Sequence, residues 1–482
     1  MELKDKDLVS IQEVRNLIEN ARNAQKVLAT MSQCQLNAIT KAISDAAAAN
    51  AEKLARMAQE ETTFGKWQDK IIKNMFAARV VYDYIKDMKT VGILREDKEK
   101  KIIEVGVPMG VVAALIPSTN PTSTAIYKAM ISIKAGNSIV FSPHPSAKNC
   151  ILETVRIISE AGKAAGMPEG AIGCISVPTM QATDELMKHK NVSVILATGG
   201  SAMVKAAYSS GNPAIGVGPG NGPAFIEKTA DIPMAVKRIF DSKTFDNGVI
   251  CASEQSIIVE EAIKDKVECE LKKQGGYFLP EADAAKLEKF ILRANGTMNP
   301  QIVGKTAQVI ADIAGIKIPD NTRVLIARES RVGHNIAYSR EKLCPILAFY
   351  VEKDWETACQ RSIEILMSEG AGHTMCVHTK DENVIREFAL KKPVNRVLIN
   401  TPGALGGIGA TTNLVPALTL GSGAVGGSST SDNISPLNLI NIRRCAYGVR
   451  ELEEIRNTGS GSSCNTEELV NLLVDKIIQK LC

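Results

Sequence analysis

Between Val111 and Ala197 the chain alternates short apolar runs with longer stretches whose apolar residues recur at helical spacing. Val111–Ile116, Ser138–Phe141, Ile172–Val177 and Val192–Ala197 read as strands. Thr122–Lys134, Ser146–Ala165 and Gln181–His189 read as the helices between them. Short apolar strands separated by helices of roughly 10–20 residues predict βαβ units and a parallel, doubly wound sheet. Upstream the pattern is helical, with Ser10 a candidate cap for Ile11–Val27 and an Ala-rich stretch over Leu36–Met57. Val91–Val105 reads as two strands around the charged turn Asp97–Lys101, a protruding hairpin. A second α/β region starts near Ile232 and runs to about Leu420, with strands at Ser256–Val259, Arg323–Ile326, Ile346–Val351, Met375–His378 and Arg396–Ile399. Leu437–Val449 is again extended, and is expected to pair with the hairpin.

The end of the chain has a different pattern. Asn457–Ser463 has the composition of a flexible linker. After it, Asn465 with Glu468 three positions on has the form of a capping box. Leu469, Leu472, Leu473, Ile477 and Leu481 then share a helical face, widened by Val470, Val474 and Ile478. A tethered amphipathic helix is expected to dock, on its own protein or on another.

At 482 residues, two or three domains are expected. A net charge of +4 from dispersed Lys and Arg argues against nucleic-acid or membrane partners. Aromatics at 4% argue against a stacking platform for single strands. Eleven irregularly spaced cysteines without a CxxC pair fit reduced thiols rather than a disulfide framework. His373 and His378 flank Cys376 in a strand-like run whose members need not converge, so no metal site is expected. The N-terminus has no apolar signal core, and no run reaches the ~18 apolar residues of a membrane span.

Candidate chemistry centres on Thr244–Gln255. Cys251 follows an Asn-Gly turn signal and is flanked by small residues, a setting in which a thiol is accessible and reactive. A packed small hydrophobe is the alternative for a lone cysteine. The segment Gly421–Gly426 matches GxGxxG literally but lacks the strand–turn–helix context of a dinucleotide fingerprint. Better nucleotide-binding candidates lie where strands end: Ile116, Pro117, Ser118 and Asn120; Ser142 and His144; and Gly199, Gly200 and Ser201, which lead into a helix.

In their order and spacing, these motifs resemble the aldehyde dehydrogenase superfamily, specifically its CoA-acylating branch, over about residues 5–450. The most specific pieces are Ile116–Thr124, Lys134–Pro145, the Cys251 segment, Glu341–Pro345 and Gly406–Gly427. The resemblance implies an aldehyde dehydrogenase-like α/β fold: a Rossmann-type nucleotide-binding domain, a catalytic domain with a nucleophilic Cys and a β oligomerisation arm. It makes Cys251 the nucleophile, and Asn120 with the Cys251 N–H the oxyanion hole. Glu341 becomes the carboxylate holding the nicotinamide ribose, with an exposed charge beside Lys342 as the alternative. His373 matches a histidine of the acylating branch, where a neutral imidazole would help deprotonate CoA; a structural histidine is the alternative. Hydrolytic members carry a glutamate base where this chain has Gly216–Pro223, including Gly218, with no carboxylate. A thioester there should resist water and wait for CoA. Where hydrolytic members place a ribose-contacting lysine, this chain has Ser142 and His144, implying a roomier cleft that NAD and CoA occupy in turn.

The resemblance therefore implies oxidation of a short aliphatic aldehyde such as acetaldehyde or propionaldehyde by NAD, with coenzyme A as co-substrate. A Cys251 of low pKa, first to react with thiol reagents at neutral pH, is part of that expectation. The alternatives are a hydrolytic aldehyde dehydrogenase, an acyl-phosphate reductase and a non-catalytic scaffold. The tail resembles an encapsulation peptide of bacterial microcompartment enzymes, which implies shell or core proteins as partners and a cytoplasmic, compartment-packaged homo-oligomer, dimer or tetramer. The expected divisions are 1–90 helical, 91–106 hairpin, 107–231 dinucleotide-binding, 232–425 catalytic, 426–456 return segment, 457–464 linker and 465–482 docking helix.

Overall fold

The computed structural model describes residues 5–459 and, beyond them, residues 470, 471, 473, 474, 476 and 478. It divides into two units. The first comprises the chain up to Val91 together with Val107–Asn441; the second comprises Gly92–Gly106 and the described residues from Ile442 onward. Strands are numbered in chain order, and β1 (Gly92–Asp97) and β2 (Ile102–Pro108) form the hairpin of the second unit.

The first unit holds two parallel sheets. β3 (Val111–Ile116), β4 (Ser138–Pro143), β5 (Ile172–Cys174), β6 (Val192–Thr198) and β7 (Ala214–Val217) make a five-stranded sheet in the order β5-β4-β3-β6-β7. Every residue of β3 and β4 is buried, as a parallel sheet covered on both faces requires. β8 (Gly222–Ile226), β9 (Glu254–Glu260), β10 (Gly276–Phe278), β11 (Val324–Arg328), β12 (Ile346–Glu352), β13 (Gly372–His378) and β14 (Val394–Ile399) form the second sheet, ordered β10-β11-β12-β9-β8-β13-β14. Alternation divides its side chains between two cores. Phe225, Ile258, Leu325 and Met375 face one, and Ile226, Ile257, Val259 and Phe349 face the other.

Several boundaries differ from those the sequence suggests. The first helix spans Lys6–Leu28 and is capped by Asp5; Ser10 lies inside it, buried, with its hydroxyl donating to the Val177 carbonyl. The Ala-rich stretch is two helices, Gln33–Ala49 and Ala51–Thr62, parted at Asn50. β7, β8 and β10 are strands that the apolar pattern did not reveal, because each is short and has a glycine within it or at its start. Since β8 pairs with β9 and β13, the chain passes from one sheet to the other at Gly218–Asn221, upstream of the expected boundary at 231. No strand–turn–helix surrounds Gly421–Gly426; Gly372 and Gly426 instead bring this segment against the start of β13, where a Cβ on Gly372 would lie 1.7 Å from the Ser422 carbonyl oxygen.

In the second unit β15 (Ile440–Ala446) joins the hairpin in the order β1-β2-β15. Arg444 Nε donates to Glu104 at 3.0 Å, and the Tyr447 amide donates to the Lys101 carbonyl at 3.1 Å. Helix Leu452–Gly459 follows, so Asn457–Gly459 are helical rather than linker. Val470, Leu473, Val474 and Ile478 are helical and exposed; Leu469, Leu472, Ile477 and Leu481 of the expected docking face, the expected cap residues Asn465 and Glu468, and Ser460–Ser463 of the linker lie outside the described residues. Among the described residues, no helix is long and apolar enough to cross a membrane.

Candidate active site

The site begins at a tight turn. Helix Ile232–Thr244 ends at Phe245, and the chain then reverses through Asp246 (φ 50°), Asn247 (φ 52°) and Gly248 (φ 79°). Two non-glycine residues in the left-handed region cost on the order of 1–3 kcal/mol each, so the surroundings must hold them. They do so by charge. The Asp246 carboxylate, fully buried, accepts from the Lys66 amide at 2.7 Å, Lys70 Nζ at 2.9 Å and Lys73 Nζ at 2.5 Å. The Asp246 amide donates to Asp69 at 2.7 Å, and Asn247 Nδ2 to the Gly304 carbonyl at 2.9 Å. This clamp delivers Val249–Cys251 to the amino edge of β9.

Asn120 arrives from the other sheet, at the end of the loop after β3 and just before helix Pro121–Lys134. Its Oδ1 accepts from Lys73 Nζ at 2.6 Å, and its Nδ2 donates to the Val249 carbonyl at 3.1 Å. Lys73 thus joins Asp246 to Asn120, and it fixes which end of the amide points toward the cysteine segment. Burial lowers the Lys73 ammonium to about 8 against the opposing pull of Asp246.

His373, near the amino end of β13, places Nε2 3.2 Å from Cys251 Sγ. Its Nδ1 lies 3.0 Å from the Thr374 hydroxyl, which accepts from Arg396 Nε at 3.2 Å. Burial, then the Arg396 charge, lowers the imidazole to about 3, so it is neutral at physiological pH. Cys251 retains partial exposure, yet its surroundings push the thiol up to about 12, first through burial and then through Glu341, with Arg396 and Lys73 opposing. The expected low-pKa thiol is therefore corrected: the resting pair is a protonated thiol against a neutral imidazole.

Gly220 closes the site from the β7–β8 connection. A Cβ there would lie 2.0 Å from the Cys251 carbonyl oxygen and 3.2 Å from His373 Cε1. Its amide donates to Glu341 Oε1 at 2.8 Å, which fixes that carboxyl beside the cysteine. Burial, with help from Glu369, raises Glu341 to about 8; the residue is half-buried rather than an exposed charge, and its neighbour Lys342 is wholly buried. The carboxylate-free stretch Gly216–Pro223 accordingly passes directly over Cys251.

Ile116, Pro117, Ser118, Ser142, His144, Gly199, Gly200, Ser201 and Gly218 all fall at or just beyond the carboxyl ends of β3, β4, β6 and β7. In a parallel sheet these ends share one edge, the usual place for a dinucleotide. The fit is good on three counts. Gly200 and Gly218 have no neighbouring atom within 4 Å of a Cβ position, helix Ser201–Tyr208 has no side-chain cap, and the buried Thr198 hydroxyl has no hydrogen-bond partner. Two of the candidates are otherwise occupied: Ser142 Oγ pairs with Thr183 Oγ1 at 2.9 Å, and His144 Nδ1 accepts from the Ser146 amide. Lys73, Thr374 and Arg396 belong to the site but carry no periodicity or motif that would have singled them out, and Asp246 and Gly220 lie in segments that drew attention for other residues or for a missing carboxylate.

The model of the aldehyde dehydrogenase family matches residues 6–276, and the chain belongs to that family. It is 44% identical over 444 residues to the bifunctional aldehyde-alcohol dehydrogenase AdhE of Escherichia coli K12, covering 91% of this chain and 50% of that protein. The chain spans about half the length of this and the other aldehyde-alcohol dehydrogenases it matches. Among solved structures, a probable aldehyde dehydrogenase from Listeria monocytogenes is 69% identical, with a TM-score of 0.93 and coverage of 94% of this chain and 100% of that one. An acetylating aldehyde dehydrogenase from Geobacillus thermoglucosidasius is 54% identical, with a TM-score of 0.92 and coverage of 93% and 99%. Two propionaldehyde dehydrogenases match at 29% identity, each covering 90% of this chain and 97% of its own. One, from Rhodopseudomonas palustris (TM-score 0.81), holds CoA and an acylated cysteine. The other, from Clostridium phytofermentans (TM-score 0.82), comes from a fucose utilisation bacterial microcompartment.

Proposed function

We propose that this protein is a CoA-acylating aldehyde dehydrogenase that converts a short aliphatic aldehyde to its acyl-CoA through a thioester on Cys251. The 3.2 Å contact between His373 Nε2 and Cys251 Sγ carries the reading, supported by the Asn120 amide held across from Val249. His373 takes the thiol proton as sulfur adds to the aldehyde carbon, and the carbonyl oxygen gains the negative charge. Asn120 Nδ2 and the Cys251 N–H donate to that oxygen, where charge develops only as the reaction proceeds. Bound NAD supplies the hydride acceptor. Residues at the carboxyl edge of β3, β6 and β7 would hold the dinucleotide, with the uncapped N-terminus of helix Ser201–Tyr208 available to its phosphates and Glu341 to its ribose hydroxyls. Loss of the aldehyde hydrogen as hydride leaves an acyl thioester on Cys251.

With no carboxylate in Gly216–Pro223 to activate water, the thioester persists until CoA arrives. Once His373 has released the first proton to solvent, it accepts the CoA thiol proton, CoA sulfur displaces Cys251, and that second proton passes to the departing cysteine. Oxidation and acyl transfer are separated in time, which gives ping-pong kinetics. The acylated cysteine and CoA in the Rhodopseudomonas enzyme support this order of events. The direct test follows NADH formation from propionaldehyde and NAD with and without CoA, in wild type and in Cys251→Ala. Sustained turnover requiring both CoA and Cys251 is expected; equal turnover without CoA would replace the reading with hydrolysis to the free acid.

The three-stranded sheet of β1, β2 and β15 serves in this reading as an oligomerisation arm of a dimer or tetramer. The tail acts as an encapsulation peptide that binds microcompartment shell or core proteins inside the cell. Its composition and the microcompartment origin of the Clostridium phytofermentans neighbour support that role. Deleting residues 460–482 should leave turnover intact and abolish co-purification with compartments; retained packaging would refute it.

A further inference from the structure

Arg396, near the start of β14, is 4% exposed and has no carboxylate partner among the described residues. Its donors are all engaged, but by neutral groups. Nε donates to Thr374 Oγ1 (3.2 Å), Nη1 to the Ser431 carbonyl (3.2 Å) and Asn433 Oδ1 (3.1 Å), and Nη2 to the carbonyls of Gly372 (3.4 Å) and Gly421 (2.7 Å). Five N–H groups thus meet five acceptors, a geometry only a guanidinium satisfies. The five neutral acceptors solvate part of that charge, but a buried cation without a counter-ion remains costly. A stabilised fold would be better served by a neutral group here, which points to a use for the charge.

Among the described residues, the anion that acts on Arg396 is the one that forms at Cys251. Besides Arg396, three groups act on that sulfur. Lys73, on helix Trp67–Met75, is matched with Lys70 against Asp246 and Asp69. Glu341, on the loop before β12, is held mostly protonated near neutral pH. His373, on β13, is neutral. Arg396 remains as the uncompensated positive charge, and it connects to the sulfur through Thr374 Oγ1 and the His373 ring.

We propose that Arg396 is a positioning residue with an electrostatic role: through Thr374 it locks the His373 ring against Cys251, and its charge stabilises the anionic states of sulfur and carbonyl oxygen. The proposal rests on Cys251 being the nucleophile. Because the Thr374 hydroxyl accepts from Arg396, it is held where it meets His373 Nδ1, and the ring keeps Nε2 on the sulfur. Arg396 acts at a distance from the aldehyde, so its loss affects sulfur reactivity and kcat more than aldehyde KM.

The test measures the second-order rate of Cys251 alkylation by iodoacetamide at pH 8, with kcat and KM for propionaldehyde, in Arg396→Met, Arg396→Lys and Thr374→Val. Alkylation of Cys251 in Arg396→Met should slow by about tenfold, the equivalent of one pKa unit. Arg396→Lys should recover part of it, and Thr374→Val, which keeps the charge but cuts the link, should lower kcat with a smaller change in alkylation. A purely structural arginine gives the opposite sign, because a loosened site exposes the sulfur and speeds alkylation; that result, or an unchanged rate, overturns the proposal. If Arg396→Met does not fold, Thr374→Val decides on the same two readouts, and wild-type kcat in it overturns the link to His373. Cys251→Ala is the separate control: turnover surviving there defeats the nucleophile assignment, whereas its loss alongside unchanged alkylation in Arg396→Met defeats only the role of Arg396.

Discussion

Gly220→Ala is the smallest change that should disable this site. The added methyl would sit 2.0 Å from the Cys251 carbonyl oxygen and 2.9 Å from its carbonyl carbon, with His373 Cε1 at 3.2 Å. Approaches under 3.0 Å are not sustained, so the β7–β8 connection and the Cys251 backbone must separate by about 1 Å. Neither side yields easily. Gly220 is tied to Glu341 through its amide at 2.8 Å, and Cys251 follows a turn clamped by Asp246. A displacement of about 1 Å at a reacting group can cost on the order of 10²-fold in rate. We therefore expect kcat for NADH formation with aldehyde, NAD and CoA to fall by about 10²-fold, with the protein still folded, since the strain is local to one loop. Steady-state rates paired with a thermal melt separate the two effects. Activity within threefold of wild type, in a protein melting normally, would refute both the packing of Gly220 on Cys251 and the argument drawn from it.

Asn120→Ala should lower kcat by about 10²–10³-fold with little change in aldehyde KM, the size of one lost oxyanion donor; a pure KM effect would make Asn120 a binding residue instead. Lys73→Met leaves Asn120 in place but frees its amide to rotate and leaves Asp246 with one ammonium fewer, so kcat should fall by about tenfold and stability by roughly 3–5 kcal/mol. Denaturant unfolding and initial rates check both halves, and full activity would show that Lys73 serves the turn alone. Glu341 is raised to about 8, chiefly by burial, so between its ordinary value near 4.5 and about 8 the folded state binds more protons than the unfolded one. Its contribution is present at low pH and lost as pH climbs through that window. Glu341→Gln should flatten this loss in melts taken from pH 5 to pH 8, and an unaltered profile would count against a buried, protonated carboxyl. Cys251 alkylation should climb steadily between pH 7 and pH 10, because burial raises the thiol to about 12; a plateau at neutral pH would restore the low-pKa thiol.

What the sequence made legible follows from which forces leave a periodic trace. Strands β3, β4, β6, β9 and β12 each contain a short apolar run because both faces are covered, and such runs are visible without any structure. β7, β8 and β10 hide because glycine and proline within them are required by close packing, as where a Cβ on Gly222 would meet the Thr374 carbonyl oxygen at 2.6 Å. Such a constraint comes from another strand and leaves no local signature. The tail helix is a weaker case, because its stripe was clear but much of it lies outside the described residues.

The site shows the same division more sharply. Cys251 and Asn120 stood out because each sits in a turn-prone polar segment beside an apolar strand, and the structure brings both to one point through Val249. The groups that tune them could not be found that way. Arg396 and His373 are 23 residues apart in sequence on adjacent strands, and it is the parallel register of β13 on β14, pairing Thr374 with Arg396, that makes one govern the other. The thiol's elevated pKa misled in the same manner: flanking small residues suggested access, while the burial that raises it comes from groups distant in sequence, among them His373 on β13 and Gly220 in the crossing between the sheets. Reactivity here is a property of the enclosure more than of the cysteine; in the proposed reaction the proton moves to His373 within the closed site, and the charge left behind calls for a fixed cation. Arg396 meets that requirement from a strand the apolar pattern had already located, at a position no motif marked.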